Sequence, residues 1–203
     1  MSTTTFSVES LENYIDPASV APKAVEIVDV SDETALEEVC RLHRFCLERI
    51  SHENHEELRS ANEVLETLRG DCTDQTVLLS SLLLSREIPV RIVHVQNHMF
   101  PEALLPVKPG GKTDREVHQL YSLGRETKVR ALAEPNHGDE NIPASGYWYP
   151  VDSEMSRYMG DLQVHAEEQL MIHENGEWQW EEVRLCKPFS PKGIQRRKET
   201  SDP

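Results

Sequence analysis

The strongest constraint on this chain is the leucine-rich run from Thr76 to Arg86. Its apolar residues stand at positions 77, 78, 79, 82, 83 and 84, and they cover most of a helical wheel rather than one stripe of it. A helix that is apolar nearly all round belongs inside a domain, with other elements packed around it. The sequence therefore predicts a central buried helix.

A polar segment leads into this helix, and Cys72 lies at the junction. Asp71 is a suitable N-cap residue, which would place Cys72 in the first helical turn. Unpaired backbone N–H groups and the positive end of the helix dipole favour a thiolate there. Most free cysteines are small buried hydrophobes, but the polar residues around Cys72 are not typical of a core. From this stretch alone, Cys72 could be either a nucleophile or a packing residue.

The charge of the chain excludes some partners. The 203 residues include 36 acidic and 21 basic side chains, which gives a formal charge of -15. This excess of acid argues against binding to nucleic acids or anionic membranes. We therefore expect neither a nucleic-acid nor a membrane partner, and the sequence does not indicate an oligomeric state.

The cysteines and the first ten residues indicate the cellular compartment in which the protein is expected. The four cysteines, at positions 40, 46, 72 and 186, form no short-spaced pairs of the metal-binding or redox type. The first ten residues lack the basic start and apolar core of a signal peptide. We expect reduced thiols in a cytoplasmic protein.

The pattern of elements predicts a single α+β domain over residues 31–186. We expect an N-terminal extension over 1–30, with a short strand at 24–28, and a disordered tail over 187–203. Helices are predicted at about 32–51 and 60–86, with Gly70 ending the helix before Cys72. An antiparallel sheet should follow from about 88 to 184. An insertion at about 107–145 interrupts it, with a short helix at 114–123.

The pattern also makes specific predictions for two histidine-bearing segments and one turn. The first long helix has its core stripe at Leu36, Val39, His43, Cys46 and Ile50. His52 and His55 lack a metal-binding spacing and are expected at a solvated helix end. Asn175-Gly176 predicts a tight hairpin between 169–173 and 177–181.

Three residue types needed for thiol catalysis occur in order along these elements. Cys72 begins a buried helix, His98 begins a strand, and Asp152 ends another strand. A thiol nucleophile needs a base to hold its proton and a group that orients the base. Glu102 shares a strand face with His98, but four residues along a strand separate them by roughly 13 Å. Asp152, arriving from a different strand, is the better orienting group.

These stretches resemble the transglutaminase-like superfamily of papain-like cysteine enzymes. The resemblance covers roughly residues 60–162, interrupted by 107–145. The matching stretches are Gly70-Asp71-Cys72-Thr73-Asp74-Gln75 with its helix, Ile88-Pro89-Val90-Arg91-Ile92-Val93, His98-Met99-Phe100-Pro101-Glu102 and Trp148-Tyr149-Pro150-Val151-Asp152-Ser153.

The resemblance implies a fold and roles for the site residues. The fold would be a transglutaminase-like core, with the central buried helix packed on an antiparallel sheet. Cys72 would be the nucleophile, His98 the general base and then acid, and Asp152 the orienting group. The Cys72 N–H would donate to the oxyanion, with Asn62 as a candidate second donor. Phe100 departs from the family pattern, which often has tryptophan two residues after the histidine.

Three functions fit this resemblance. The first is a cysteine-dependent acyl-transfer enzyme, with amide or peptide hydrolysis through a Cys72 thioester and a protein or peptide as substrate. The second is a catalytically silent binding or scaffold module of the same fold. The third is an acyltransferase similar to the arylamine N-acetyltransferases. None of them requires a cofactor, and we predict no metal ligands.

The acidic composition also resembles adaptation to high salt, where counterions screen the repulsion between surface carboxylates. We therefore predict that the midpoint of thermal unfolding rises between dilute buffer and molar potassium chloride. Circular dichroism at matched pH measures it. An unfolding midpoint that does not change across this range would contradict the hypothesis.

Overall fold

The computed structural model describes residues 11, 13–28, 33–54, 56–94, 98–123, 127–133 and 145–161. It also describes the backbone of strands at 164–165, 169–174, 177–182 and 184–185. Other residues, including His55, His137, Cys186 and the tail from 187 onward, lie outside the described residues.

The central element is the predicted buried helix, Cys72–Ser85. Every residue of this helix from Asp74 to Leu84 is buried. Helices formed by Pro17–Val28, Ala35–Arg49 and Ala61–Thr67 pack against it, as does the strand Met99–Leu105. In chain order these helices are α1 (17–28), α2 (35–49), α3 (61–67) and α4 (72–85), and Lys112–Leu120 forms α5. The prediction of a helix surrounded by other elements is confirmed.

Helix α1 corrects the expectation of a short strand at 24–28. Its buried residues are Val20, Ala24 and Val28, and this spacing of four is the helical period rather than the strand period. Pro17 stands at the first helical position, where a missing N–H costs nothing. Pro22 lies inside the helix, and such prolines argue against a helix when a sequence is read locally. The limits of the domain stay predictions, but part of the 1–30 segment packs on the core.

The ends of α2 and α3 follow their sequence signals. Thr34 caps α2 and Ser60 caps α3, each in a reciprocal capping box with a glutamate three residues later. Helix α3 ends with Leu68 in the left-handed conformation, at φ 54°. Gly70, expected to end that helix, instead forms part of a short strand after it.

The sheet lies against α4 and is antiparallel, as predicted. Ten short strands are present in the described residues: β1 (Ser51–His52), β2 (Arg69–Gly70), β3 (Val90–His94), β4 (Met99–Leu105), β5 (Leu132–Ala133), β6 (Tyr147–Pro150), β7 (Val164–His165), β8 (Gln169–Glu174), β9 (Glu177–Glu182) and β10 (Arg184–Leu185). Five of them form the main sheet in the order β10-β3-β4-β6-β5. An α+β fold with a central helix on an antiparallel sheet is therefore confirmed.

The described residues between β4 and β6 include a helix and a strand of the main sheet. Helix α5 lies close to the predicted 114–123, and β5 pairs with β6 at the edge of the main sheet. Strands β8 and β9 pair from Gln169↔Glu182 to Glu174↔Glu177, which confirms the predicted hairpin. Its two turn residues, Asn175 and Gly176, lie outside the described residues.

The helices of the described segments are all too short or too polar to cross a lipid bilayer.

Candidate active site

Cys72 is the first residue of α4, as predicted, because Asp71 caps the helix. One oxygen of the Asp71 carboxylate accepts the backbone N–H of Thr73 at 2.9 Å and of Asp74 at 3.0 Å. The hydrogen bonds of the described residues leave the N–H of Cys72 unused. The nucleophile candidate thus stands at a helix terminus with a backbone donor beside its sulfur.

The polar loop before Cys72 is held by Asp74. This fully buried carboxylate accepts the N–H of Arg59 at 2.9 Å and of Asp71 at 3.3 Å. Gly70 packs directly on it, since a Cβ at Gly70 would lie 2.6 Å from the Cβ of Asp74. The glycine is therefore required for this close approach, rather than for a helix end.

His98 and Asp152 meet in the interior. The imidazole Nε2 lies 2.6 Å from Oδ2 of Asp152, and both side chains are buried. The other carboxylate oxygen of Asp152 accepts the backbone N–H groups of Glu154 and Met155, at 2.8 and 3.0 Å. These three hydrogen bonds satisfy a carboxylate and fix its orientation toward the ring.

The surroundings of His98 favour its charged form. Burial alone would lower the pKa of the imidazole. Hydrogen bonds to Asp152 and Cys72, together with the negative charges of these two groups, raise the pKa of His98 to about 10. An imidazolium near neutral pH is therefore expected beside the Cys72 sulfur.

Glu154 lies on the open side of the same ring. Its Oε2 is 3.8 Å from Nδ1 of His98, and its Oε1 is 2.5 Å from Nδ1 of His52. The Cys72 sulfur, one ring nitrogen of His98 and one oxygen of Glu154 all lie within 4.8 Å of one another. His52 is exposed, as expected, but it lies in β1 rather than at a helix end.

A second histidine supports the turn that carries Asp152. His43 on α2 is fully buried, and its Nε2–H donates to the Asp152 carbonyl oxygen at 2.8 Å. Its Nδ1 lies 2.6 Å from the hydroxyl of Tyr121, which donates to it in this tautomer. The hydroxyl of Ser156 also donates to the Asp152 carbonyl. Burial, opposed in part by the bond to Asp152, lowers the pKa of His43 to about 4.

Two polar contacts fasten the start of α4 to the elements that carry the other site residues. The Thr76 hydroxyl lies within hydrogen-bond distance of the Met99 carbonyl, at 2.9 Å, next to His98. The Ser153 hydroxyl donates to Oε1 of Gln75 at 2.9 Å, next to Asp152. Cys72, His98 and Asp152 are thus brought together by contacts between three separate elements.

The remaining candidates from the sequence fall elsewhere. Asn62, the candidate oxyanion donor, donates its side-chain amide to Glu66 on α3, at 2.7 Å. Cys40 and Cys46 are buried packing residues, and burial raises the pKa of each thiol, to about 12 for Cys40. Glu102 is buried against Arg91, with Oε2 at 2.5 Å from Nε, and is not the partner of His98.

Comparison with known proteins agrees with this arrangement. A family model described as the transglutaminase-like superfamily matches residues 23–153, which include Cys72, His98 and Asp152. The chain belongs to the transglutaminase-like superfamily. No curated protein matches the sequence. Membership in this superfamily was predicted from the motifs, and it is confirmed.

Sequence reasoning missed His43, Glu154 and the contact of His52. The predicted core stripe of α2 includes His43, and a histidine at a fully buried position needs hydrogen-bond partners, so its position is a usable signal. Glu154 follows Asp152 by two residues. Aspartate side chains commonly accept the N–H two residues on, which folds the next residues back toward the carboxylate.

We predict that His43 makes the protein less stable in mild acid. The folded protein keeps this ring neutral to about pH 4, whereas an unfolded chain protonates it near 6.5. The stabilisation from neutral His43 is therefore complete above pH 6.5 and is lost as the pH falls toward 4. A pKa gap of this size corresponds to about 3 kcal/mol of unfolding free energy.

Urea unfolding of wild type and His43→Gln at pH 7 and pH 4.5 measures this effect. The variant keeps an N–H donor for the Asp152 carbonyl but cannot titrate, so its stability should fall less between the two pH values. His118→Gln, which removes a half-buried histidine from α5, is the matched control. An equal fall in wild type and His43→Gln would contradict the assignment.

Proposed function

We propose that this protein is a cysteine-dependent acyl-transfer enzyme that hydrolyses amide or peptide bonds through a thioester on Cys72. The observation that carries the proposal is the placement of the His98 ring between the Cys72 sulfur and the Asp152 carboxylate. A thiol, a base and an orienting carboxylate in this order are the parts that thiol acyl transfer requires.

In the first step, the Cys72 sulfur adds to the substrate carbonyl carbon. The carbonyl π electrons move to oxygen, and His98 holds the proton from the thiol. As the tetrahedral intermediate collapses, His98 delivers that proton to the amide nitrogen, the C–N bond breaks, and the amine leaves. The products of this half-reaction are a free amine and an acyl thioester on Cys72.

In the second step, His98 takes a proton from water, and the resulting hydroxide adds to the thioester carbon. The C–S bond then breaks, the proton returns to the sulfur, and a carboxylic acid is released. The Asp152 carboxylate holds the ring in the orientation that both steps need. An amine in place of water would give group transfer by the same route.

The negative oxygen of each tetrahedral intermediate requires hydrogen-bond donors. The backbone N–H of Cys72 is the best candidate, because no hydrogen bond among the described residues uses it and it adjoins the nucleophile. The amide of Asn62, which binds Glu66, is not supported as the second donor.

Hydrolysis is favoured over transfer by the polar entrance to the site. Cys72 is only half-buried, the exposed residue Glu154 lies near its sulfur, and the exposed residue His52 contacts Glu154. Water reaches a thioester at such an entrance readily, whereas selective transfer to an amine requires water to be excluded.

We predict that Cys72 forms an acyl adduct with an activated substrate. The protein should be incubated with a panel of peptide amides, peptide esters and a labelled acetyl thioester, then quenched in acid and digested. Peptide mass spectrometry should find the acyl mass on Cys72, with the buried Cys40 and Cys46 unmodified as internal controls. His98→Ala should lower kcat/KM by about 10²–10⁴-fold, the usual contribution of a general base.

The panel separates the proposal from its alternatives. Adducts formed only from the acetyl thioester would favour an acetyltransferase. No adduct from any substrate, with the folded state verified by circular dichroism, would contradict the enzyme and favour a silent binding module. Adduct formation that is unchanged in His98→Ala would contradict the assigned base.

A further inference from the structure

The nucleophile candidate belongs to a cluster of three side chains that could bind a metal ion. The Cys72 sulfur, one nitrogen of His98 and one oxygen of Glu154 lie within 4.8 Å of one another. They come from three separate elements: the start of α4, the residue before β4 and the turn after β6. Thiolate, imidazole and carboxylate are the three protein ligand types that Zn²⁺ accepts.

Although the sequence predicts no metal ligands, we propose that Cys72, His98 and Glu154 form a binding site for Zn²⁺ that switches off the nucleophile. Coordination would release the proton of the Cys72–His98 pair to water, and it would occupy the sulfur lone pair that attacks the substrate and the ring nitrogen that holds that proton. The metal site rests on the cluster itself, and its inhibitory effect rests on the proposed function.

A tetrahedral ion would require the three ligand atoms, now within 4.8 Å of one another, to move closer together. Zn²⁺ binds sulfur at about 2.3 Å and nitrogen or oxygen at about 2.0–2.2 Å, so its ligand atoms lie about 3.3–3.6 Å apart. The His98 Nδ1 and Glu154 Oε2 atoms are 3.8 Å apart. Glu154 is exposed, so its carboxylate can move the remaining distance without disturbing the core.

Further support comes from the side chains that contact His98 and Glu154 on the sides away from the metal position. Metal-bound histidines usually donate their second N–H to a carboxylate, and bound carboxylates are themselves hydrogen-bonded. Here His98 contacts Asp152 through Nε2 at 2.6 Å, so Nδ1, on the side of Glu154, is the ring nitrogen that would bind the metal. Glu154 contacts His52 through Oε1 at 2.5 Å, which leaves Oε2 for the metal. Two of the three ligands therefore already have the partners that orient ligands in metal sites.

The ligand types favour Zn²⁺ over Mg²⁺ and Ca²⁺. Mg²⁺ and Ca²⁺ prefer oxygen ligands in larger coordination shells, so a site with one sulfur and one nitrogen excludes them. Three protein ligands leave the fourth tetrahedral position open to water at the exposed side of the cluster. Zn²⁺ should therefore bind and leave through the same entrance as the substrate.

The test uses the full chain freed of metal by a chelator. Calorimetric titration with Zn²⁺ should show one site, and Mg²⁺ should not compete. Titration with Co²⁺ as a coloured probe should produce thiolate-to-cobalt charge-transfer absorption, which Cys72→Ser removes. Glu154→Gln should weaken Zn²⁺ binding at least about 10-fold, since even outer groups of metal sites contribute that much.

Glu57→Gln is the matched control, because it removes an exposed glutamate outside the cluster. It should bind Zn²⁺ as wild type does. Equal affinity in wild type and Glu154→Gln, or cobalt absorption that persists in Cys72→Ser, would overturn the proposed site. Glu154 is exposed, so its variant tests the site without threatening the fold.

These measurements need no substrate, so they separate the inference from the proposed function. Zn²⁺ binding at Cys72 with no acyl adduct from any substrate would contradict the enzyme and leave the metal site standing. Adduct formation with no Zn²⁺ binding would overturn the metal site alone. If both hold, Zn²⁺ should prevent adduct formation on Cys72, and a chelator should restore it.

Discussion

The complete burial of helix α4 is the constraint on which the rest of the structure depends. From Asp74 to Leu84 this helix has no exposed face, so other elements must cover each side of it. Helices α1, α2 and α3 and strand β4 supply that cover. Because the helix is enclosed, its N-terminus is fixed in space, and Cys72 has a defined position at the edge of the core.

The site follows from the way that polar groups at this terminus are satisfied. The Thr76 hydroxyl contacts the carbonyl of Met99, which follows His98. The Gln75 side chain accepts a hydrogen bond from Ser153, which follows Asp152. His43 reaches the Asp152 carbonyl from α2. Buried polar groups need partners, and here those partners lie in the segments that carry the base and its orienting carboxylate. The interactions that stabilise the interior therefore also align the candidate catalytic groups.

The features that could be predicted from the sequence are those set by residues close together along the chain. The apolar surface of α4, the Asp71 cap and the order of Cys72, His98 and Asp152 are local patterns, and they were enough to indicate the fold and the family. The expectation of a strand at 24–28 is wrong because Pro17 and Pro22 argue against a helix locally, whereas packing on α4 stabilises helix α1. A local pattern indicates that His43 needs partners and that Glu154 turns back toward Asp152. The groups that these side chains meet, Tyr121 for His43 and His52 for Glu154, depend on contacts between segments distant along the chain.

The central claim is that His98 and Cys72 act as one chemical unit. The most direct measurement is the rate of Cys72 alkylation by iodoacetamide as a function of pH, read by peptide mass spectrometry in wild type and His98→Ala. The account predicts fast labelling well below the usual thiol pKa near 8.5, lost in the variant, while Cys40 and Cys46 stay unlabelled. Labelling of Cys72 that follows an ordinary thiol in both proteins would contradict it.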